Sequence, residues 1–257
     1  MSDQTPKSPI QQKVVDYFSY ISLYEKELYL SPQPQQHPPS ITTPQAKSKP
    51  KQPMTISQNP YPEYSPHNDL VTMHSAIGGC IRCALGSSRN KFVFGVGSKE
   101  AKVVFVGEAP GAEEDKQGFP FVGRAGKLLD HLLNEIGWSR EEVYICNILK
   151  CRPPNNRDPV PDEIEQCEPY LHEQLRILNP QFLVALGRVA AQTLLRTNAP
   201  LRELRGRVHS YQDKPFWVIY HPAALLRNQN LMPDTVKDLL TLKKMVETGQ
   251  ADAGIST

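Results

Sequence analysis

The cysteines are the residues of this 257-residue chain whose chemistry first asks for an account. Cys80 and Cys83 form a Cys-x2-Cys pair, Cys151 and Cys167 follow after 67 and then 15 intervening residues, and Cys146 is the fifth. A tight pair offers two thiolates from one turn. Cys151 ends an apolar run and Cys167 lies in a helical pattern, so folding could gather four sulfurs into a site that staples the N-terminal loop to the body. Structural zinc usually draws on two compact pairs, which the 15-residue gap matches poorly, and ferredoxin-type carriers cluster their cysteines more tightly. Spacing alone leaves both a metal site and four separate thiols open. Cys146, inside an apolar run, reads as a small buried hydrophobe.

A second group lies at the ends of apolar runs. Gly107-Glu108-Ala109-Pro110-Gly111 follows one such run and continues through Glu113, Glu114 and Asp115 to Gly118-Phe119-Pro120-Phe121-Val122-Gly123. Glycines let backbone approach a ligand, and an aromatic held beside Pro and Gly can present a rigid stacking face. A phosphate loop is excluded: its Gly-x4-Gly-Lys-Ser/Thr order is missing, and the three carboxylates would repel phosphate. Asn147 is an amide in an otherwise apolar run, able to offer a donor and an acceptor to the edge of a base, or to be satisfied inside the fold. His221-Pro222 ends the last run, and a lone histidine there is open to a structural reading as well.

These residues need elements to position them. Lys102 to Gly107, Val143 to Leu149, Phe182 to Leu186 and Phe216 to Tyr220 are compact apolar runs of the kind that form buried parallel strands. Between and after them, Ala125 to Ile136, Asp162 to Leu178, Arg188 to Leu195 and Asp234 to Val246 repeat apolar residues at helical spacing. Alternating strands and helices predict an α/β fold: a three-layer α/β/α sandwich around a central four-stranded parallel sheet, with ligands bound where the strands' carboxyl ends open into loops.

Upstream the composition changes. Half of the 24 prolines fall within residues 1–69, which hold no glycine and no cysteine. This stretch is expected to be a mostly disordered Pro/Gln-rich extension with a short helix at 13–30, followed by a domain over 70–247 and a flexible tail over 248–257. The formal charge of +2 and pI near 8.2 place any nucleic-acid binding in local clusters rather than in the total. No apolar run approaches the length of a membrane span, and the N-terminus is polar and Pro-broken, without the apolar stretch of a secretory signal, so a cytoplasmic, nucleoid-associated protein with no membrane partner is expected; a monomer is expected as well.

Read together, CIRCALGSSR, VFGVGS, GEAPGAEEDKQGFPFVGRAGKLL, YICNILKCRPPNNRDP, LGRVAA, LRGR and YHPAALLRN resemble, in the same order, the family 4 (iron–sulfur, thermostable-type) uracil-DNA glycosylases over about Gly79 to Met245. The resemblance implies a monofunctional enzyme that flips uracil out of double- or single-stranded DNA and hydrolyses its N-glycosidic bond. It implies a structural 4Fe-4S cluster on Cys80, Cys83, Cys151 and Cys167. Glu108 and Ala109 would line the uracil pocket with backbone groups, Phe121 would stack on the base, Asn147 would read its edge, and Glu114 would lie near C5 and help exclude thymine's methyl. His221 would stabilise negative charge on O2 as the bond breaks.

The better-known family 1 enzymes carry an Asp in GQDPYH where this chain has Ala109, so the attacking water needs another partner; Glu108 or a backbone carbonyl is expected. Glu108 and Gly111 separate the chain from the Gly-Ala-Pro-Ala pattern of family 5. Turnover is expected too, because Gly118 to Lys127 contains neither a His nor the basic insertion of the branch that traps uracil covalently. DNA contacts are expected from Arg82, Arg89, Lys91, Arg205, Arg207 and Arg227, with Leu225 or Leu226 as the wedge that fills the space of the flipped base. Gln11, Val14, Tyr17 and Phe18 resemble a sliding-clamp-binding peptide. A catalytically weak damage sensor of the same fold is the competing function, and an electron carrier is disfavoured by the dispersed cysteines.

Overall fold

A computed structural model of the chain describes residues 67–250. The 13–30 helix and the Gln11, Val14, Tyr17 and Phe18 peptide lie outside the described residues.

Strands form where the apolar runs predict them. Every residue of β2 (Val103–Gly107), β3 (Tyr144–Asn147) and β4 (Phe182–Leu186) is buried, as both faces of a covered parallel sheet require. With β6 (Lys214–Ile219) they form the parallel middle of the sheet, in the order β3-β2-β4-β6. The four-strand expectation needs correction, because among the described residues the sheet has six strands. β1 (Val96–Gly97) is antiparallel to β3 at one edge, and β5 (His209–Tyr211) is antiparallel to β6 at the other. Two and three residues are too few to show an alternating pattern, so sequence periodicity passes over them.

The register aligns the ends that matter. Val106 pairs with Cys146 and Gly107 with Asn147, while Ala185 and Leu186 of β4 pair with Val218 and Ile219 of β6. The chain leaves β2 for β3 on one side and returns to β4 on the other. The carboxyl ends of the four parallel strands therefore open around a switch in winding direction, where such sheets bind ligands.

Helices cover both faces. Val104, Val106, Cys146, Ala185 and Val218 share one core with Met73 of α1 (Leu70–Ile77), Leu85 of α2 (Leu85–Ser88), Leu171 and Leu175 of α5 (Pro161–Leu178), Ala190 and Leu194 of α6 (Arg188–Leu195) and Leu204 of α7 (Leu201–Leu204). Side chains alternate across a strand, so Phe105, Ile145, Val184 and Trp217 face the other way. There the buried Leu128, Leu129, Leu132 and Leu133 of α4 (Arg124–Glu135) and Val236, Leu239 and Leu242 of α9 (Met232–Thr248) make the second layer. Two short helices, α3 (Ala112–Gln117) and α8 (Pro222–Arg227), start at loops that follow β2 and β6. Among the described residues no helix is long and apolar enough to cross a membrane.

Bonds at both ends of the described residues bear on the expected limits. The His67 backbone N–H donates to Glu173 Oε1 at 2.6 Å and its carbonyl accepts from Arg176 Nη2 at 2.5 Å, so the body already holds His67, three residues before the expected start. At the other end α9 runs to Thr248 and closes on Gly249 in the left-handed region, so the helix takes in the first residue expected of the tail.

Candidate active site

A cavity of about 540 Å³ opens at the carboxyl ends of the parallel strands. Glu108 and Ala109 reach it from the loop after β2, Phe121 from the turn before α4, Asn147 from the end of β3, and His221 from the start of α8. All six uracil-pocket positions singled out in the sequence, Glu114 among them, line this one space.

Asn147 is the most informative. It is 1% exposed, and its Oδ1 is a buried acceptor with no hydrogen-bond partner. Buried polar atoms are nearly always paired, so an acceptor left open on a cavity wall marks the place of a ligand donor. Its neighbour explains a glycine: a Cβ on Gly107 would lie 2.3 Å from Asn147 Oδ1 and 2.7 Å from Phe121 Cζ. Only a hydrogen leaves room for both groups.

Phe121 is buried, and its ring lies 5.6 Å from that of His221, tilted by 35°. Gly187, at φ +90°, allows His221 its place, since a Cβ there would come within 2.7 Å of the histidine Cβ. His221 caps α8, its Nδ1 accepting the Ala223 backbone N–H at 3.1 Å. An accepting Nδ1 puts the proton of the neutral ring on Nε2. Burial, with the positive charge of Arg227 adding to it, brings the His221 pKa down to about 4, so the ring is a neutral donor at physiological pH. Glu108 moves the other way. Burial first, then the nearby Asp158 carboxylate, raises it to about 7, against the pull of Arg188.

Glu114 borders the cavity with both oxygens engaged. Oε2 accepts from Gly111 N at 3.1 Å, and Oε1 accepts from Val122 N and Gly123 N at 2.9 and 2.8 Å. Its carboxylate braces the wall.

A model of the uracil DNA glycosylase superfamily matches residues 94–242. A type-4 uracil-DNA glycosylase of Archaeoglobus fulgidus is 46% identical over 170 residues, 63% of this chain and 85% of the relative. The chain belongs to this superfamily, on its type-4 branch. A type-4 relative from Thermotoga maritima is 46% identical over 169 residues, covering 65% of this chain and 88% of the relative. A type-5 relative from Pyrobaculum aerophilum shares 32% over 177 residues, 62% and 75% of the two chains, in keeping with the branch that Glu108 and Gly111 indicate.

The four cysteines singled out in the sequence lie in one neighbourhood: Cys80 and Cys83 act on the Cys151 thiol and Cys83 and Cys151 on that of Cys167, with buried Lys150 beside Cys151 and Cys167. Lys150 N donates to Cys167 Sγ at 3.2 Å, Arg89 Nη1 lies 3.5 Å from Cys151 Sγ, and Tyr170 OH donates to Cys80 Sγ at 3.2 Å. Burial pushes Cys151 up to about 11 and Cys167 up to about 12. Cys146 is fully buried and burial raises its pKa as well.

Three expected DNA contacts are corrected by the geometry. Arg89 points inward, bonding the Gly78 and Cys80 carbonyls and so tying down the Cys-x2-Cys turn. Arg205 pairs with Asp234 and Asp238 at 3.0 and 2.8 Å and lies over Tyr220, its side chain 14% exposed. Leu225 is 0% exposed, packed into the body, whereas Leu226 is half-buried beside the exposed Arg227. Arg207 is exposed but does not line the cavity. Arg82 bonds Gln166, and Lys91 bonds the Gln117 carbonyl.

The mouth holds residues that sequence reading passed over: Asn156, Arg157, Asp158 and Arg188. Asn155 and Asn156 both sit at φ +54°. The Pro-Pro-Asn-Asn string was the available signal, since Asn tolerates the left-handed region better than other non-glycine residues.

Proposed function

We propose that this protein excises uracil from DNA, releasing the free base and leaving an abasic site, as the names of its type-4 relatives indicate for them. The open acceptor of Asn147 carries the proposal. Uracil offers a donor at N3 and an acceptor at O4, which the Asn147 amide complements, while cytosine presents an acceptor at N3 and would leave Oδ1 unpaired. An unmade buried hydrogen bond costs about 1–3 kcal/mol, enough to discriminate.

Flipping the nucleotide costs a few kcal/mol, less at a mismatch. Phe121 stacking and the Asn147 contacts offset that cost. Bond breakage then leaves negative charge on uracil O2, and the Nε2–H of neutral His221 donates to it; a neutral donor already in place needs no proton from solvent. Ala109 cannot orient water, so Glu108 does so as the carboxylate. Glu114, fixed by three backbone N–H groups, keeps the wall near C5 rigid, so a methyl group there finds no space. Leu226 enters the duplex and Arg227 meets phosphate, rather than Leu225, Arg89 or Arg205.

The cysteine donors fit an iron–sulfur cluster. Burial would keep Cys151 and Cys167 as thiols, whereas iron coordination favours thiolates, which accept the hydrogen bonds those sulfurs receive. Cys80, Cys83, Cys151 and Cys167 would hold a 4Fe-4S cluster. When bound, it supplies iron–thiolate cross-links between the N-terminal turn, the loop after β3 and α5.

The test is release of free base from an oligonucleotide containing one uracil. Wild type should release uracil, and Asn147→Ala and His221→Ala should each lower single-turnover release by about 100-fold or more. No release by iron-replete wild type would favour the damage-sensor reading.

A further inference from the structure

Phe121 holds φ at +51°, a conformation that a bulky L residue seldom adopts. Two side chains of opposite charge grip this turn from either side. The Arg140 guanidinium donates to the Pro120 and Phe121 carbonyls, the second at 3.0 Å, and is itself fixed by Asp130 Oδ1 at 2.7 Å. Across the turn, Glu114 Oε1 takes the N–H groups of Val122 and Gly123. Consecutive peptide groups thus turn their carbonyls to a cation and their amides to an anion. A backbone at negative φ would re-aim these groups and lose the match. Both carbonyls belong to buried residues, so without Arg140 they would lack that donor.

Arg140 does not line the cavity. It lies in the connection from α4 to β3 and reaches the cavity-lining Phe121 through the turn it holds. We propose that Arg140, backed by Asp130 and opposed by Glu114, is a positioning residue for base excision: it locks the strained turn so that the Phe121 ring is in stacking position before DNA arrives. This rests on the proposed stacking role of Phe121 and adds a residue that acts only through it.

A double-mutant cycle on the full-length, iron-replete protein tests it. In single-turnover assays Arg140→Gln should slow uracil release by about 10–100-fold, the rate equivalent of the strain such a conformation holds. In a Phe121→Ala background the same change should cost less than about twofold more, because the ring it serves is gone. Equal losses in the two backgrounds, or Arg140→Gln at the wild-type rate, would overturn the clamp. Arg140→Lys keeps a cation but cannot span two carbonyls and Asp130 as a planar fork, so it carries the same cycle if the Gln variant fails to fold. Phe121→Ala at the wild-type rate would instead sink the stacking role itself, whereas a slow Phe121→Ala with additive Arg140→Gln would sink only the clamp.

Discussion

Glu108 pays for its position in stability. Its carboxyl titrates near 7 in the folded protein against an ordinary 4.5, because burial and Asp158 disfavour the charged form. With the folded pKa raised, the contribution to stability is fully present below about pH 4.5 and is lost as pH rises through about 7. Glu108→Gln removes that loss. The variant should match wild type in a pH 4 melt and exceed it by about 1–2 kcal/mol at pH 8, after allowing for the partial exposure of the group. Its single-turnover release should fall and lose the rise through pH 7 that ionisation gives wild type; unchanged cleavage would remove the carboxylate from the mechanism. His221, already neutral above about pH 4, adds no step in that range. Asn147 and His221 were legible in the sequence because polar residues at the ends of apolar runs are conspicuous. Arg140 and Lys150 were not, since a lone Arg or Lys in a sequence says nothing of the carbonyls it meets. Arg89, Arg205 and Leu225 misled for the complementary reason: side-chain type fits a DNA contact, but burial and partners decide it.

At the scale of elements, β3 and α5 are joined by one buried cation. Lys150 is 0% exposed; its Nζ donates to Asn147 O at 2.7 Å and Gln174 Oε1 at 2.5 Å. Gln174 passes the chain of bonds on to the Phe94 carbonyl and the Tyr144 hydroxyl. Burial lowers the Lys150 pKa, opposed by Cys146, Cys167 and Cys151. Lys150→Met would leave the Asn147 carbonyl and the Gln174 amide oxygen short of a donor, so a urea melt should show a loss of about 1–3 kcal/mol. Undiminished stability would mean that the apolar replacement repacks without cost, as some buried charges allow. Long, periodic elements were readable: the middle of the sheet and the four main helices arise from apolar runs and helical spacing. The edge strands β1 and β5 were not, because strands so short depend on their partners rather than on their own pattern.

For the molecule as a whole, every described residue that lines the cavity falls between Glu108 and Arg227. A chain beginning at His67 should therefore release uracil from short oligonucleotides at a rate within about twofold of the full chain, the scatter expected for changes distant from a site. A larger loss in the same assay would give residues 1–66 a part in catalysis. The α/β class followed from the alternation of runs, and the position of the cavity followed from the class. Neither needed knowledge of a ligand, whereas uracil itself came only from motif resemblance.

The clasp on His67 has a mechanical side. Glu173 and Arg176, which hold it, stand on α5, the helix that also carries Cys167. Tension on anything attached upstream of His67 is therefore delivered to the element that would anchor the metal, and that helix is braced to β3 by Lys150 and Gln174. Through α5 the clasp thus ties His67 both to Cys167 and, by way of Lys150 and Gln174, to the sheet.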